Sequence, residues 1–175
     1  KYSVREKAEL GLGVENTSVQ IAGCHPYWMS EAAKLIADQG ARVIDINMGC
    51  PAKKVVNGYS GSALMRDLDH ALSLIEAVVK AVDVPVTLKT RLGWDDTLMN
   101  APELARHAED AGIRMIVIHG RTRCQFYKGH ADWAAIHRVK QTVSIPVIAN
   151  GDIVSSDHAT RAMAQSGADG VMVGR

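Results

Sequence analysis

The residues best suited to chemistry follow apolar runs of the sequence, at the points where these runs end. One such segment, DINMGCPAKKV, places Cys50 between a glycine and a proline directly after an apolar run. A free thiol with a pKa of about 8.5 is mostly protonated at neutral pH and can act as a general acid. As a nucleophile it would need a nearby histidine or helix N-terminus. Both roles remain open from the sequence, as does a small residue chosen only for the loop's conformation.

Other polar residues occupy equivalent places. Lys89 follows the apolar run that begins at Val84, and is a Schiff-base nucleophile, a cation facing an electron-rich ring, or a surface lysine. His119 follows four apolar residues, which fits either a site residue or a buried histidine with satisfied hydrogen bonds. Gln20 lies in an apolar run and needs a hydrogen-bond partner if buried, which the edge of a ligand would supply.

Two further apolar runs are followed by a glycine next to a charged residue. Asn150, Gly151 and Asp152 follow one apolar run, and the glycine permits close backbone approach to a ligand. Asp152 alternatively caps a turn. Gly174 and Arg175 follow the last run, where backbone N–H groups and a cation commonly hold a phosphate in one fold class, the (β/α)8 barrel.

The elements that must position these residues alternate between strands and helices. Apolar residues recur at helical spacing from Leu68 to Val82 and from Trp133 to Val143, Pro102 suits a first helical turn, and glycines 40, 112 and 167 suit helix ends. This alternation predicts a parallel sheet covered by helices. The predicted strands are Ser18–Ala22, Arg42–Asn47, Val84–Lys89, Met115–His119, Ile145–Asn150 and Gly170–Val173.

A weak repeat favours one parallel architecture. Strands entered from a glycine, as at Gly40, Gly112 and Gly167, alternate with strands entered through a proline, as at Pro85 and Pro146. Odd and even strands differ in this way in a (β/α)8 barrel, an α/β TIM barrel, of which about six of the eight units are visible. A doubly wound sheet remains the alternative, but it explains the alternation less well.

The composition sets outer bounds. The chain has 175 residues, about one domain, with 47% hydrophobic residues and a formal net charge of +1, which gives no general electrostatic basis for nucleic-acid binding. No apolar run is long enough to span a membrane. The three cysteines lack metal-site spacing, and the expectation is a reducing cytoplasm with no metal and no membrane. The start at Lys1 suggests an excerpt of a longer protein.

Several segments together resemble one enzyme family. The chain is similar over nearly its whole length to the tRNA-dihydrouridine synthases, most closely their bacterial B-type branch. The segment around Cys50 is the most specific part of this likeness. The segments that carry it are Gln20–Gly23, Asp45–Val55, Thr87–Trp94, Ile118–Thr122 and Ile148–Asp152.

The resemblance implies a function. Members of this family are FMN enzymes on a (β/α)8 barrel, followed by a small helical domain that helps to hold tRNA and that is absent here. NADPH reduces FMN, hydride passes to C6 of a uridine, and a cysteine protonates C5. This would make Cys50 the general acid, and residues 1–175 a partial catalytic barrel. The same likeness implies that such a fragment alone binds FMN poorly and lacks activity, because barrel edges stay unpaired.

The resemblance also assigns binding roles by position. Asn47 and Arg91 would hold the uracil with help from Arg121, and Lys53 and Lys54 fit phosphate contacts to tRNA or are simply solvated. Gln20 and Lys89 would contact the flavin ring, and the final Gly–Arg pair its phosphate. The residues expected to bind FMN are Gln20, Lys89, His119, Asn150, Gly151, Asp152, Gly174 and Arg175.

Three other interpretations remain. The first is an FMN enzyme acting on free pyrimidines, of the dihydroorotate or dihydropyrimidine dehydrogenase kind. The second is a non-catalytic RNA-binding fragment with vestigial chemistry, against which the intact polar strand ends speak. The third is a Schiff-base aldolase that uses Lys89.

Overall fold

The structure, a computed structural model, describes residues 18–174 of the chain. Within them six strands form one parallel sheet in sequence order, and helices connect the strands. The strands are β1 (Ser18–Ile21), β2 (Val43–Met48), β3 (Val86–Arg91), β4 (Ile116–His119), β5 (Val147–Asn150) and β6 (Gly170–Met172). The helices are α1 (Pro26–Asp38), α2 (Lys53–Val56), a 3-10 helix (Gly61–Arg66), α3 (Leu68–Ala81), α4 (Ala101–Asp110), α5 (Trp133–Lys140) and α6 (Ser156–Ser166).

This architecture is part of a (β/α)8 barrel and contains the six strands that the sequence predicts. Adjacent parallel strands joined by helices repeat without a change of direction, whereas a doubly wound sheet would reverse its strand order. In the part of the chain that the structure describes, none of the helices is both long and apolar enough to cross a bilayer.

The two faces of the sheet have different chemistry, because side chains alternate along each strand. In β2, Ile44, Ile46 and Met48 are fully buried in the hydrophobic core shared with the helices. Asp45 and Asn47 lie between them on the opposite, half-buried face. The polar residues of the strands therefore gather on the concave side of the sheet.

Proline sets where two strands begin. The sequence predicts strands from Val84 and Ile145, but β3 begins directly after Pro85 and β5 directly after Pro146. A proline has no N–H to donate to the sheet, so the ladder starts at the next residue. The carbonyl groups of both prolines still accept hydrogen bonds from the neighbouring strand.

Helix ends follow local signals. The side chains of Asp67, Asp132 and Ser155 accept hydrogen bonds from backbone N–H groups in the first turns of α3, α5 and α6. Gly167 ends α6 with a φ of 64°, a conformation that favours glycine. Helices α3 and α5 stop before Val82 and Val143, the last residues of their predicted apolar periods.

Candidate active site

A cleft of about 620 Å³ opens on the concave face of the sheet, within the size range of small-molecule sites. Strand register places its polar residues in adjacent rows, with Asn47 beside Lys89 and Arg91 beside His119. The residues that line it are Ser18, Gln20, Asp45, Asn47, Gly49, Cys50, Pro51, Thr87, Lys89, Arg91, Met115, Val117, His119, Tyr127 and Met172.

Cys50 lies half-buried on the loop after β2, at the lining of this cleft. Its carbonyl oxygen accepts hydrogen bonds from both the backbone N–H (3.1 Å) and the hydroxyl (2.9 Å) of Ser62. Gly61 approaches so closely that an added Cβ would lie 2.7 Å from the same oxygen. The 3-10 helix therefore fixes the Cys50 loop from one side, which the sequence did not predict.

Asn47 holds the same loop from the strand side. Its Oδ1 accepts the backbone N–H groups of Gly49 (3.1 Å) and Cys50 (3.0 Å), and its Nδ2 donates to Gln20 Oε1 (2.7 Å). An Nδ2 group has two hydrogens, so one remains for a ligand. Asn47 thus has a structural task besides the uracil contact that the sequence predicts.

Arg91 joins two loops across the cleft. Its Nε donates to Gly49 O (2.8 Å), and its Nη1 donates to Thr122 O (3.0 Å) and Phe126 O (2.9 Å). The residue is only 2% exposed, and its guanidinium lies 5.6 Å from the centre of the Tyr127 ring. Burial lowers the pKa of Arg91 from its usual value. Among the described residues it forms no ion pair, so this buried cation has no carboxylate in direct contact.

Lys89 has spare hydrogen-bonding capacity. Its Nζ donates to Asn150 Oδ1 at 3.2 Å, which is its one hydrogen bond within residues 18–174. Burial lowers the pKa of Lys89, the nearby Arg91 lowers it further, and Asp45 partly opposes both effects. An ammonium group has three N–H donors, so Lys89 can also bind a ligand that offers acceptor atoms or negative charge.

His119 is the neutral member of the site. Burial is the main cause that lowers its pKa to about 4, and the positive charges of Arg91, Lys89 and Arg121 add to it. Its Nε2 accepts a hydrogen bond from Arg121 Nη1 at 3.2 Å, so the neutral ring carries its proton on Nδ1. His119 therefore adds no charge to a cluster that is already cationic.

Arg121 and Asp152 form a partly buried ion pair at 2.8 Å that ties the loop after β4 to the loop after β5. Arg121 also donates to the carbonyl groups of Lys128 (3.1 Å) and Gly129 (2.8 Å). Burial alone would raise the pKa of Asp152, but hydrogen bonds from the Ala131 N–H and Arg121 lower it overall. Both residues thus hold loops in the structure, beside the ligand contacts that the sequence predicts.

The end of β5 forms a close-fitting backbone cradle. Gly151 has a φ of 107°, and an added Cβ would lie 2.9 Å from Ala131 Cβ and 3.1 Å from His119 Nε2. Asn150 Nδ2 donates to Met172 O at 2.8 Å and reaches Gly174 O at 3.5 Å, which links the ends of β5 and β6. Gly174 is exposed, and Arg175, the predicted phosphate contact, lies outside the described residues.

Sequence reasoning missed several residues of the site. Asp45 and Thr87 lie in the cleft and share a hydrogen bond of 2.7 Å, and Tyr127 also lines it. A signal existed for Asp45, because it stands two residues before Asn47 and must share its face of the strand. Among residues 18–174, no three His, Cys, Asp or Glu side chains come together as potential metal ligands.

Comparisons with known proteins agree on one family. Residues 2–175 match the Dihydrouridine synthase (Dus) family. A probable tRNA-dihydrouridine synthase of Rhodobacter capsulatus is 65% identical over all of this chain and 54% of its own length. The tRNA-dihydrouridine synthase B of Xanthomonas campestris pv. campestris is 55% identical over 90% of this chain and 48% of its own length. The chain therefore spans about half the length of the curated relatives it matches.

Solved structures share the fold with low identity. A mandelate racemase/muconate lactonizing enzyme from Roseiflexus sp. has a TM-score of 0.63 at 18% identity, covering 91% of this chain and 40% of that one. A dipeptide epimerase from Enterococcus faecalis V583 has a TM-score of 0.65 at 14% identity, covering 89% of this chain and 38% of that one. At this identity the likeness extends to the barrel architecture alone.

Proposed function

The chain belongs to the dihydrouridine synthase family, and we propose that it supplies the catalytic half of an enzyme that reduces the C5–C6 double bond of uridines in tRNA. The observation that carries the proposal is the position of Cys50. Its half-buried loop lines the same cleft as Lys89 and Arg91, which lack carboxylate partners among the described residues. Such a cleft can bring an acidic thiol and two cationic side chains to the same planar base.

FMN is the cofactor that fits this cleft. The spare N–H groups of Lys89 and the outward edge of the Gln20 amide match the acceptors and donors of a flavin ring. At the end of β5, Gly151 packs directly against His119, which lines the cleft, so a larger residue there would displace this side chain. When bound and reduced by NADPH, FMN would supply the hydride that reaches C6 of the uracil.

Protonation then falls to Cys50. Its thiol donates a proton to C5, which completes the addition of two hydrogens, and the resulting thiolate regains its proton from solvent. The remaining N–H of Asn47 and the cleft-facing side of the Arg91 guanidinium hold the carbonyl groups of the uracil. Arg121 helps to hold the substrate indirectly, because its hydrogen bonds to Lys128 and Gly129 fix the loop that carries Tyr127.

Neutral His119 supports this arrangement. A protonated imidazole there would add a cation beside Lys89, Arg91 and Arg121 and would strengthen their mutual repulsion. His119 lines the cleft and also a neighbouring cavity of about 530 Å³ that Asp152 and Gly174 line. We assign His119, Asn150, Gly151 and Asp152 to FMN, with Gly174 and Arg175 at its phosphate.

The rest of the parent protein would complete the barrel and provide a helical domain for tRNA. Lys53 and Lys54 are exposed on the short helix that follows the Cys50 loop, where they can reach RNA phosphates. The site of action in the cytoplasm stays a prediction from the cysteine content.

The test is mass spectrometry of unmodified tRNA after incubation with the full-length protein, FMN and NADPH. Uridines that gain two hydrogens at defined positions are expected, and Cys50→Ala should slow this gain. Conversion of free uracil or dihydroorotate, with tRNA unchanged, would overturn the proposal in favour of the free-pyrimidine enzymes.

A further inference from the structure

A continuous chain of hydrogen bonds runs along one side of the cleft lining, and we call it the amide relay. Thr87 Oγ1 donates to Asp45 Oδ1 (2.7 Å), and Gln20 Nε2 donates to Asp45 Oδ2 (2.6 Å). Asn47 Nδ2 then donates to Gln20 Oε1 (2.7 Å), and Asn47 Oδ1 accepts the N–H groups of Gly49 and Cys50 (3.1 and 3.0 Å). Strand register creates it, since Gln20, Asp45 and Thr87 are cross-strand partners.

The direction of the relay is fixed at its first end. Both oxygens of the Asp45 carboxylate accept hydrogen bonds, Oδ1 from Thr87 and Oδ2 from Gln20, so Gln20 turns its NH₂ group toward Asp45. The Gln20 carbonyl oxygen then faces Asn47 and can only accept from it. Each amide in turn has its orientation set by the one before.

The other end imposes the same direction independently. Backbone N–H groups can only donate, so Gly49 and Cys50 require the carbonyl oxygen of Asn47. Asn47 must therefore present its NH₂ group to Gln20. Two amides between an acceptor-only group and donor-only groups have a single arrangement that satisfies every bond.

Among residues 18–174, no other contact of the Cys50 loop accepts these N–H groups. Ser62 and Arg91 bind the loop through the carbonyl groups of Cys50 and Gly49, whereas the relay supplies the partner for their N–H groups. The relay also passes through Gln20, whose outward edge faces the cleft. One carboxylate thus orients both the loop that carries the thiol and an amide that meets the ligand.

We propose that Asp45 is a positioning residue, which through the amide relay fixes the donor and acceptor edge that Gln20 presents to the flavin and holds Asn47 against the Cys50 loop. The part that concerns the flavin rests on the proposed function. Neither Asp45 nor Thr87 needs to touch the substrate or the cofactor for this role.

The test reverses the relay in the full-length protein. Asn47→Asp provides an acceptor for the loop but leaves carboxylates on both sides of Gln20, so one of them must face the Gln20 oxygen. We expect the Asn47→Asp substitution to raise the equilibrium constant for unfolding by about tenfold or more, because one polar atom of Gln20 loses its partner. Adding Asp45→Asn supplies a donor at the other end, and the double variant can form the complete relay in the opposite direction.

A matched control separates the relay from simple charge repulsion. Asp45→Leu combined with Asn47→Asp removes the same charge but offers Gln20 no donor. We expect urea unfolding to return close to wild type in the Asp45→Asn double variant and to stay impaired in the Asp45→Leu one. Equal recovery in both would overturn the relay. If Asn47→Asp alone does not fold, recovery of folded protein in each double variant gives the same comparison.

Flavin binding then tests the positioning role, with FMN as the probe and quenching of its fluorescence as the signal. In the reversed relay Gln20 is turned over, so its donor and acceptor edges exchange places. We expect the Asp45→Asn, Asn47→Asp protein to fold normally yet bind FMN about tenfold more weakly, as the loss of one or two oriented hydrogen bonds implies. Unchanged FMN affinity in this stable variant would overturn the role of Asp45. Wild-type protein that binds FMN but makes no dihydrouridine would overturn the proposed function and not the relay.

Discussion

Removing the buried imidazole of His119 should change how stability depends on pH. The pKa of His119 is lowered from 6.5 to about 4, first by burial and then by the cations Arg91, Lys89 and Arg121. Because the unfolded chain binds the proton more tightly, acid favours unfolding. The stability that the folded protein has at neutral pH is complete above the unfolded pKa of about 6.5, and part of it is lost as the pH falls toward about 4. The whole pKa difference of His119 lowers the free energy of unfolding by about 3 kcal/mol, of which about 2 kcal/mol is lost between pH 7 and pH 5.

The assay is urea unfolding of the full-length apoprotein at pH 7 and pH 5. His119→Gln keeps an acceptor for Arg121 but cannot take up a proton, so its free energy of unfolding should fall by about 2 kcal/mol less than that of the wild type over this interval. The exposed His130 offers a matched control, and His130→Gln should keep the wild-type dependence. Equal pH dependence in His119→Gln and the wild type would refute the reasoning that burial and cations keep this ring neutral.

Three further outcomes are expected. Arg91→Lys cannot reach all three carbonyl groups that the guanidinium binds and should lower the free energy of unfolding by about 2–4 kcal/mol, measured in urea. Gly151→Ala, at a φ of 107° and with its Cβ 2.9 Å from Ala131 Cβ, should cost about 1–3 kcal/mol by the same measurement. Cys50→Ala should slow dihydrouridine formation at least about a hundredfold while FMN affinity is kept, measured by mass spectrometry and flavin fluorescence.

Each of these has a comparison in the same chain. The exposed Arg106 is the control for Arg91, and a similar loss of stability in Arg106→Lys would show that the three hydrogen bonds of Arg91 are not the cause. Gly129 has a φ of 63° but no atom near an added Cβ, so Gly129→Ala should cost less than Gly151→Ala. The exposed Cys124 controls for loss of a thiol, and Cys124→Ala that slows the reaction as much as Cys50→Ala would contradict a specific acid.

The strand order and the strand ends were predictable because they depend on local signals. Apolar runs, helix-ending glycines and the proline before β3 and β5 act within a few residues, and the observed strands lie within two residues of the predicted ones. The position of Cys50 on a loop was predictable for the same reason, since Gly49 and Pro51 mark a loop directly after a strand.

The connections between site residues were not predictable in this way. Arg91 looked like a ligand contact, but three carbonyl groups from loops far apart in sequence occupy most of its donors. The partnership of Gln20 with Asp45 depends on strand register, which sets which residue lies opposite which. A single sequence contains the residue types of such contacts without their pairing.

The three hydrogen bonds that Arg91 donates to backbone carbonyl groups have a consequence for the order in which the chain acquires its structure during synthesis. Gly49 and the residues that give the 3-10 helix leave the ribosome early, but the Thr122 and Phe126 carbonyl groups that anchor Arg91 come later. At about 5–20 residues per second this delay is on the order of 10 s. During that interval the nascent chain would carry a Cys50 loop that Arg91 does not yet hold in place, and labelling of the Cys50 thiol on stalled ribosomes should decline once Phe126 has emerged.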